Sequence, residues 1–519
     1  MNSMNQQQMK TILEQTADDC VSQRRWVDAL RSLDRIVAIG MADAIIWQKM
    51  GSALLQVQEY AQAKEALANA LELDHTNATT HHLLAKAQFT LGEADEAVAH
   101  LLQAHSLNSS AIESLQSAAH IIANAPSATN QDVLEIRREF AKRLPSNRPQ
   151  SQDSKQLGDA KPIRIAFLSA HFRLRNYMKP VWGLLNHLDR TRFQVVLLDD
   201  GQGESEFIGY RTNACDQIHS VRNQSDTQLA QILEDLQIDV LVDLSGYSYP
   251  QRLTLFQKPL APVTVGWFNA FATSGLPGFD YILGDSHVIP QEEEAYYSER
   301  VIRLESSYLT FQVDYPVPPV AVSPCLQSQR FTFGSLVSQY KITSVVLDAW
   351  SQILQQAPNT ELIIANGDMK SPHNQAYLRQ QFADRSVDAD RIRFLPPADH
   401  DTFLKYYDLI DLALDAFPYN GGTTTMEALW QGVPVLTKNG DRWAARTSQT
   451  LLHQCHLSNF VANSVDDYVR LAVHWSQPSR WNALAELRAQ MRTKLSASSV
   501  CDCEEMAKQF GQRIGSLLE

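Results

Sequence analysis

Two kinds of hydrophobic pattern run along this chain. Up to about residue 145, small and apolar residues recur with helical spacing, and the pattern repeats every 34 positions. Trp26, Tyr60 and Ala94 are one such series, Ala29, Ala63 and Ala97 a second, and Leu33, Leu67 and Leu101 a third. A period of this length marks stacked helical hairpins, each too small to bury its apolar face alone. From residue 162 the pattern changes to short continuous apolar runs: Ile163–Ser169, Phe193–Leu198, Asp239–Leu244 and Val263–Trp267. It restarts at Phe331–Phe333 and continues through Glu361–Ile364, Ile392–Phe394, Leu412–Leu414 and Val433–Leu436. Runs of this kind, separated by helix-length segments such as 226–237, predict buried parallel strands. They fall in two groups, near 162–315 and 325–500, which predicts two doubly wound lobes with a cleft between them.

Trp47, Gly51, Ala63, Leu67 and Ala70 stand where the tetratricopeptide pattern places its Trp, Gly, Ala, bulky apolar and Ala residues. The resemblance is clear over 40–107, extends to 12–39 and fades after Ser109. Such an array implies a protein-binding scaffold, because its concave face is long and shaped. The expected organisation is helical repeats over 1–145, a polar linker with prolines over 146–161, a first lobe over 162–320 and a second over 325–519.

Composition narrows the class. The 519 residues are 44% hydrophobic and 20% charged, which is ordinary for globular domains, and the net charge of −13 disfavours general nucleic-acid binding. Six cysteines (Cys20, Cys215, Cys325, Cys455, Cys501 and Cys503) are too few for a disulfide framework. The C-x-C pair at 501 and 503 has no second pair or nearby histidine and reads as ordinary thiols. The polar start MNSMNQQQMK is unlike a signal peptide, and no apolar run is long enough to span a bilayer. A cytoplasmic protein without a membrane span is expected.

The densest chemistry lies at 415–437, DAFPYNGGTTTMEALWQGVPVLT, directly after a predicted strand. Asn420, Gly421 and Gly422 are expected to turn tightly, with the glycines supplying positive φ. Thr423, Thr424 and Thr425 then open a helix whose unpaired N–H groups and dipole suit a phosphate. Glu427, one turn in, is placed to accept from a sugar hydroxyl. The same residues also suit a helix whose threonines cap their own backbone.

This segment resembles the donor-binding stretch of the O-linked N-acetylglucosamine transferases and their plant SPINDLY relatives. The likeness extends over 162–475 through FLSAHF at 167–172, IDVLVDLSGYS at 238–248, PLAPVTVGWFNAFATSGLPGFDYILGD at 259–285, SQYKI at 338–342 and RWAARTSQ at 442–449. It implies a GT-B type arrangement of two Rossmann-like lobes behind the repeats. It also implies an inverting, metal-independent transferase with a uridine diphosphate sugar as substrate and no cofactor. By the resemblance, Lys341 beside Tyr340 contacts the diphosphate and stabilises charge on the leaving group. Asn420, Gly421, Gly422, Thr423, Thr424, Glu427, Tyr340 and His400 form the donor-binding set, while Arg446 matches a family arginine with an equally good structural role.

The chain departs from that family at three places. Arg175 stands where a histidine is usual, His400 where a lysine is usual, and Gly422 where a histidine is usual. An arginine cannot act as a base at physiological pH, but it can bind an anionic sugar, a phosphate or an acidic acceptor. The remaining candidate bases are His171, Asp243 and Asp239. Asp243 follows a predicted strand and either faces the cleft or caps the Ser245–Gly246 turn. The expected activity is sugar transfer to a protein side chain presented by the repeats. Transfer to a glycan or small molecule, and a non-catalytic nucleotide-sugar scaffold, are the alternatives.

Overall fold

The computed structural model describes residues 6–145, 162–203 and 206–518, so the expected linker 146–161 lies outside the described residues. The chain forms two compact units of two stretches each: Met1–Ser127 with Ser335–Ala398, and Ala128–Gly334 with Asp399–Glu519.

Helices α1 (Gln6–Ser22), α2 (Trp26–Ala38), α3 (Ala44–Gln56), α4 (Tyr60–Leu73), α5 (Ala78–Thr90), α6 (Ala94–Leu107) and α7 (Glu113–Ile121) form antiparallel hairpins within the first unit. The 34-residue period is structural as well as sequential. Asp43 and Asn77 each cap a helix start, accepting from Ile46 N at 3.0 Å and Thr80 N at 3.1 Å. Arg24, Gln58 and Gly92 hold the left-handed conformation at the tip of each hairpin, with φ of 57°, 64° and 92°. Gly51 lets two helices touch, since a Cβ there would fall 2.3 Å from Leu67 Cγ. The helix α8 (Asn130–Arg143) belongs to the second unit. Its Arg137 is buried, donates to Thr273 O at 2.5 Å and lies 4.0 Å over the Tyr247 ring. Thus the last helix of the expected 1–145 array packs on the lobe that follows it.

The strands are β1 (Ile163–Ser169), β2 (Phe193–Asp199), β3 (Gln217–Ser220), β4 (Val240–Asp243), β5 (Val263–Gly266), β6 (Tyr281–Asp285) and β7 (Arg300–Leu304). Then come β8 (Phe331–Ser335), β9 (Thr360–Ala365), β10 (Ile392–Leu395), β11 (Leu412–Leu414), β12 (Val435–Lys438) and β13 (Val461–Ala462). All pair in parallel in two sheets. The first has the order β3-β2-β1-β4-β5-β6-β7. The register sets Ser169 against Asp199, Leu168 against Asp243 and Asp243 against Gly266, so these residues share the carboxyl edge. In the second unit β8, β11, β12 and β13 run side by side, and in the first β9 pairs with β10. The strands that apolar runs did not reveal are β3, β6, β7 and β13. β3 and β7 lie at sheet edges and β13 has two residues, so these three need no continuous apolar stretch. β6 lies between β5 and β7, and its apolar run is only Tyr281–Leu283 before Gly284 and Asp285.

Candidate functional site

The turn before the helix Thr423–Trp430 is built on one carboxylate. Asp415, directly after β11, is buried and accepts from Ala416 N at 2.9 Å and Gly421 N at 2.7 Å through Oδ1. Its Oδ2 accepts from Thr437 Oγ1 at 2.7 Å. Asn420 N donates to Ala444 O at 2.8 Å, and Asn420 Nδ2 donates to Ala416 O at 2.8 Å. The expectation of positive φ at the two glycines is not met, since neither is among the residues with that conformation and Gly422 has φ −131°. Gly421 is needed for space instead. A Cβ there would fall 2.6 Å from Thr425 Oγ1 and 2.7 Å from Thr424 Oγ1.

The helix opens at Gly422 without a side-chain cap. Two of its three threonines bond elsewhere: Thr425 Oγ1 pairs with Ser448 Oγ at 2.8 Å, and Thr423 Oγ1 donates to Asn176 O at 3.3 Å. Self-capping by those two is therefore excluded, and the first turn presents amide N–H groups and the positive end of the dipole.

Glu427 is more deeply placed than expected. It is 3% exposed, and its Oε1 accepts from Lys179 Nζ, itself 4% exposed. His400 Nε2 lies 2.8 Å from both Lys179 Nζ and Glu427 Oε1. One ring nitrogen can accept from the ammonium or donate to the carboxylate, not both. Burial alone would raise the Glu427 pKa, but the His400 hydrogen bond and the Lys179 charge outweigh it and hold it below the usual carboxylate range. Burial lowers the Lys179 pKa, Glu427 restores part of it, and the Arg175 charge lowers it further. The carboxylate expected to meet a sugar hydroxyl thus already has two protein partners.

Lys179 and Arg175 come from α9 (Arg175–His187), which follows the carboxyl end of β1. They are one helical turn apart and both lie over the Tyr315 ring, with Nζ at 4.6 Å and the guanidinium carbon at 4.2 Å from its centre. His400 meets the same ring edge-on at 5.4 Å. The sequence reading missed Lys179, Asp415 and Tyr315. A lysine inside the apolar stretch Met178–Leu185 and an aspartate directly after a strand were the signals available.

The other candidates separate. His171 follows β1, packs 4.3 Å from the Tyr177 ring and places Nε2 3.5 Å from Ser248 Oγ; burial lowers its pKa. Asp243 is buried and accepts from Ser245 N at 3.2 Å and Gly246 N at 2.8 Å, so it caps the turn after β4. Burial, partly offset by those two bonds, pushes its pKa up to about 6. Asp239 precedes β4 at the amino edge of the sheet and accepts from Arg164 N at 2.8 Å, away from the edge where ligands of such sheets bind. That removes it as a base. Arg446 donates to both Glu293 oxygens, at 2.9 and 2.5 Å, and to Gly440 O at 2.8 Å, a structural role.

In the first unit, Tyr340 and Lys341 end the short helix Gln339–Lys341. The Tyr340 ring stacks on Phe89 at 5.1 Å, and its carbonyl accepts from Asn124 Nδ2 at 2.8 Å. One face of its ring is thus packed against the repeats. Among the described residues, no group of three or more His, Cys, Asp or Glu side chains is placed to hold a metal ion, and no helix is long and apolar enough to cross a membrane.

Helical repeats ahead of two parallel sheets, with an uncapped helix start at a strand's carboxyl end, define a repeat-bearing α/β protein. Its particular family follows from comparison: the model of glycosyl transferase family 41 matches residues 199–315 and 324–510, and the chain belongs to that family. A tetratricopeptide repeat model matches residues 44–77. The Arabidopsis thaliana protein named as probable UDP-N-acetylglucosamine–peptide N-acetylglucosaminyltransferase SPINDLY is 29% identical over 381 residues, 71% of this chain and 41% of that protein. The Arabidopsis thaliana protein SEC, given the same probable activity, is 26% identical over 389 residues, 70% of this chain and 39% of its own length. The chain thus spans about two-fifths of the length of these relatives. The solved structure of an O-GlcNAc transferase mutant from Thermobaculum terrenum superposes with a TM-score of 0.79. The match covers 100% of this chain and 98% of that one at 23% identity, and shows the shared fold.

Proposed function

We propose that this chain is an inverting, metal-independent glycosyltransferase that moves a sugar from a nucleotide diphosphate sugar to a protein side chain. Family 41 membership and the peptide N-acetylglucosaminyltransferase names of its relatives support the reaction class. The observation that carries the donor is the uncapped start of Thr423–Trp430, held by Asp415 and kept open by Gly421. Three amides there suit a diphosphate without help from a cation. On the family resemblance alone, Lys341 takes up leaving-group charge, as a metal does in other transferases. His171 is the remaining neutral base, since Asp243 is engaged by its turn. The repeats present the acceptor protein, and no cofactor is required.

Thermal unfolding of the full chain tests this. Uridine diphosphate at a hundred times its Kd should stabilise the fold by about 2.7 kcal/mol, equally with and without a chelator. Loss of that stabilisation on chelation overturns metal independence, and its absence in both conditions overturns the donor site. Lys341→Ala should lower turnover far more than it lowers donor affinity.

A second reading, a nucleotide-sugar scaffold without catalysis, draws on Arg175 in the usual histidine place and on the engagement of Glu427 by Lys179. A hydrolysis assay over a panel of nucleotide sugars separates the two.

A further inference from the structure

One recess of the second unit is lined by Arg175, Lys179, Trp182, Gly209, Gln312 and Tyr315. Three of these side chains carry a buried polar atom without a hydrogen-bond partner: the donors Arg175 Nε and Trp182 Nε1, and the acceptor Gln312 Oε1. A buried donor or acceptor left in that state loses its hydration without compensation, so three around one recess point to a partner that supplies the missing bonds.

The sequence shows how the recess is made. Arg175, Lys179 and Trp182 are spaced i, i+4 and i+7 along α9 and so share a face. Trp182 is fixed by rings, with Phe172 at 5.6 Å and Tyr210 at 5.1 Å. Gly209, at φ +99°, leaves no side chain over the indole, where a Cβ would lie 2.7 Å from Cδ1 and 3.4 Å from Nε1.

The charges select the ligand. Two cations one turn apart on a helix repel. Lys179 is neutralised by Glu427, whereas Arg175 has no ion pair among the described residues and rests on the Tyr315 ring. Asp314 also lines the recess, but it is exposed and its charge is screened by water. The recess has room for about 10 Å³, roughly one water, so only the tip of a ligand enters it while the rest stays outside. A guanidinium and an indole N–H suit the two oxygens of a carboxylate at that tip, and Gln312 Oε1 suits a neighbouring hydroxyl.

We propose that this recess binds the carboxylate of an acidic sugar, a hexuronate, and that Arg175, Trp182 and Gln312 set this preference. The sugar is carried either by the nucleotide donor or by the acceptor. The first case rests on the donor reading above, and the second does not.

Titration calorimetry on the full chain tests the proposal with uridine diphosphate, its glucose and glucuronate conjugates, and free glucuronate added to uridine diphosphate-saturated protein. Preference for the glucuronate conjugate over the glucose conjugate by about tenfold supports the donor source. Binding of free glucuronate to the saturated protein supports the acceptor source. Trp182→Phe keeps the ring and removes the N–H, and Gln312→Glu adds a repelling charge. Each should abolish the acid preference while leaving uridine diphosphate affinity unchanged. Equal affinity for both conjugates together with no binding of free glucuronate overturns the proposal, as does a preference that survives both variants. Failure of uridine diphosphate itself to bind overturns only the donor reading, because the free-glucuronate titration still decides the recess.

Discussion

Each compact unit places acidic side chains near a helix start, at the cap in the first and one turn in for the second, and the two use them in opposite ways. In the first, Glu59 and Glu93 stand 34 residues apart at the starts of α4 and α6. Glu59 accepts from Ser371 Oγ and from His373 Nδ1 at 3.0 Å, and Glu93 accepts from Tyr377 OH at 2.6 Å. Both therefore bond to the helix Pro372–Ala383 or the residue before it, with side chains partly open to water. In the second unit, Glu427 is sealed with Lys179 and His400. A partly exposed contact trades one solvated state for another, whereas a sealed charge depends wholly on its partners.

The sharpest break of that comparison is Lys179→Met. It leaves Glu427 buried with only His400 and should destabilise the second unit by about 3–5 kcal/mol in denaturant unfolding. Adding Glu427→Gln should recover most of the loss. A single variant as stable as wild type would show that the carboxylate reaches water.

Asp243 sharpens the contrast through pH. Burial raises its folded pKa to about 6, so its contribution to stability is full below about pH 4 and lost as pH rises through 6. The stability difference between wild type and Asp243→Asn should therefore change by about 3 kcal/mol between pH 3.5 and 7, in favour of the Asn variant at the higher pH. A difference independent of pH would mean that the carboxyl titrates as if solvated.

Gly92→Ala probes the first unit. Its added Cβ would fall 2.1 Å from the Ile342 carbonyl oxygen, at φ +92°. A loss of about 2–3 kcal/mol is expected, against about 1 kcal/mol for Gly40→Ala, which has positive φ but open space. Equal losses would reduce Gly92 to a turn residue. The smallest effect belongs to Glu59→Gln, under about 1 kcal/mol, because its pair is partly solvated. A larger cost would mean that this contact behaves like the sealed one.

The interleaving of the units changes how the repeats can be removed. Cutting at residue 145 would strip α8, and with it buried Arg137, from the second unit, and would uncover the face of Pro372–Ala383 in the first. The C-terminal helix Cys503–Gly515 likewise returns to the first sheet, where Phe510 packs 6.3 Å from Phe167 and 5.8 Å from Trp267.

Strands such as Ile163–Ser169 and Leu412–Leu414, the repeat period and the helix start at Thr423 were legible from the chain alone. Each depends on a local rule: an apolar run, a fixed spacing, or a glycine turn before a helix. The partners of those residues were not legible, because they come from remote sequence. Lys179 and Glu427 are 248 positions apart, and Glu59 and Ser371 are 312 apart. Sequence by itself determined the repeat helices, nine of the thirteen strands, the family likeness and the helix start at Thr423. Only the tertiary structure decided that Glu427 is sealed, that Gly421 is there for space, that Asp239 lies at the wrong edge, and that Arg175 shares a recess with Trp182 and Gln312. The physical reason is that burial and electrostatic pairing are properties of what the fold brings within a few ångströms, and no local pattern of hydrophobic and polar residues encodes that distance.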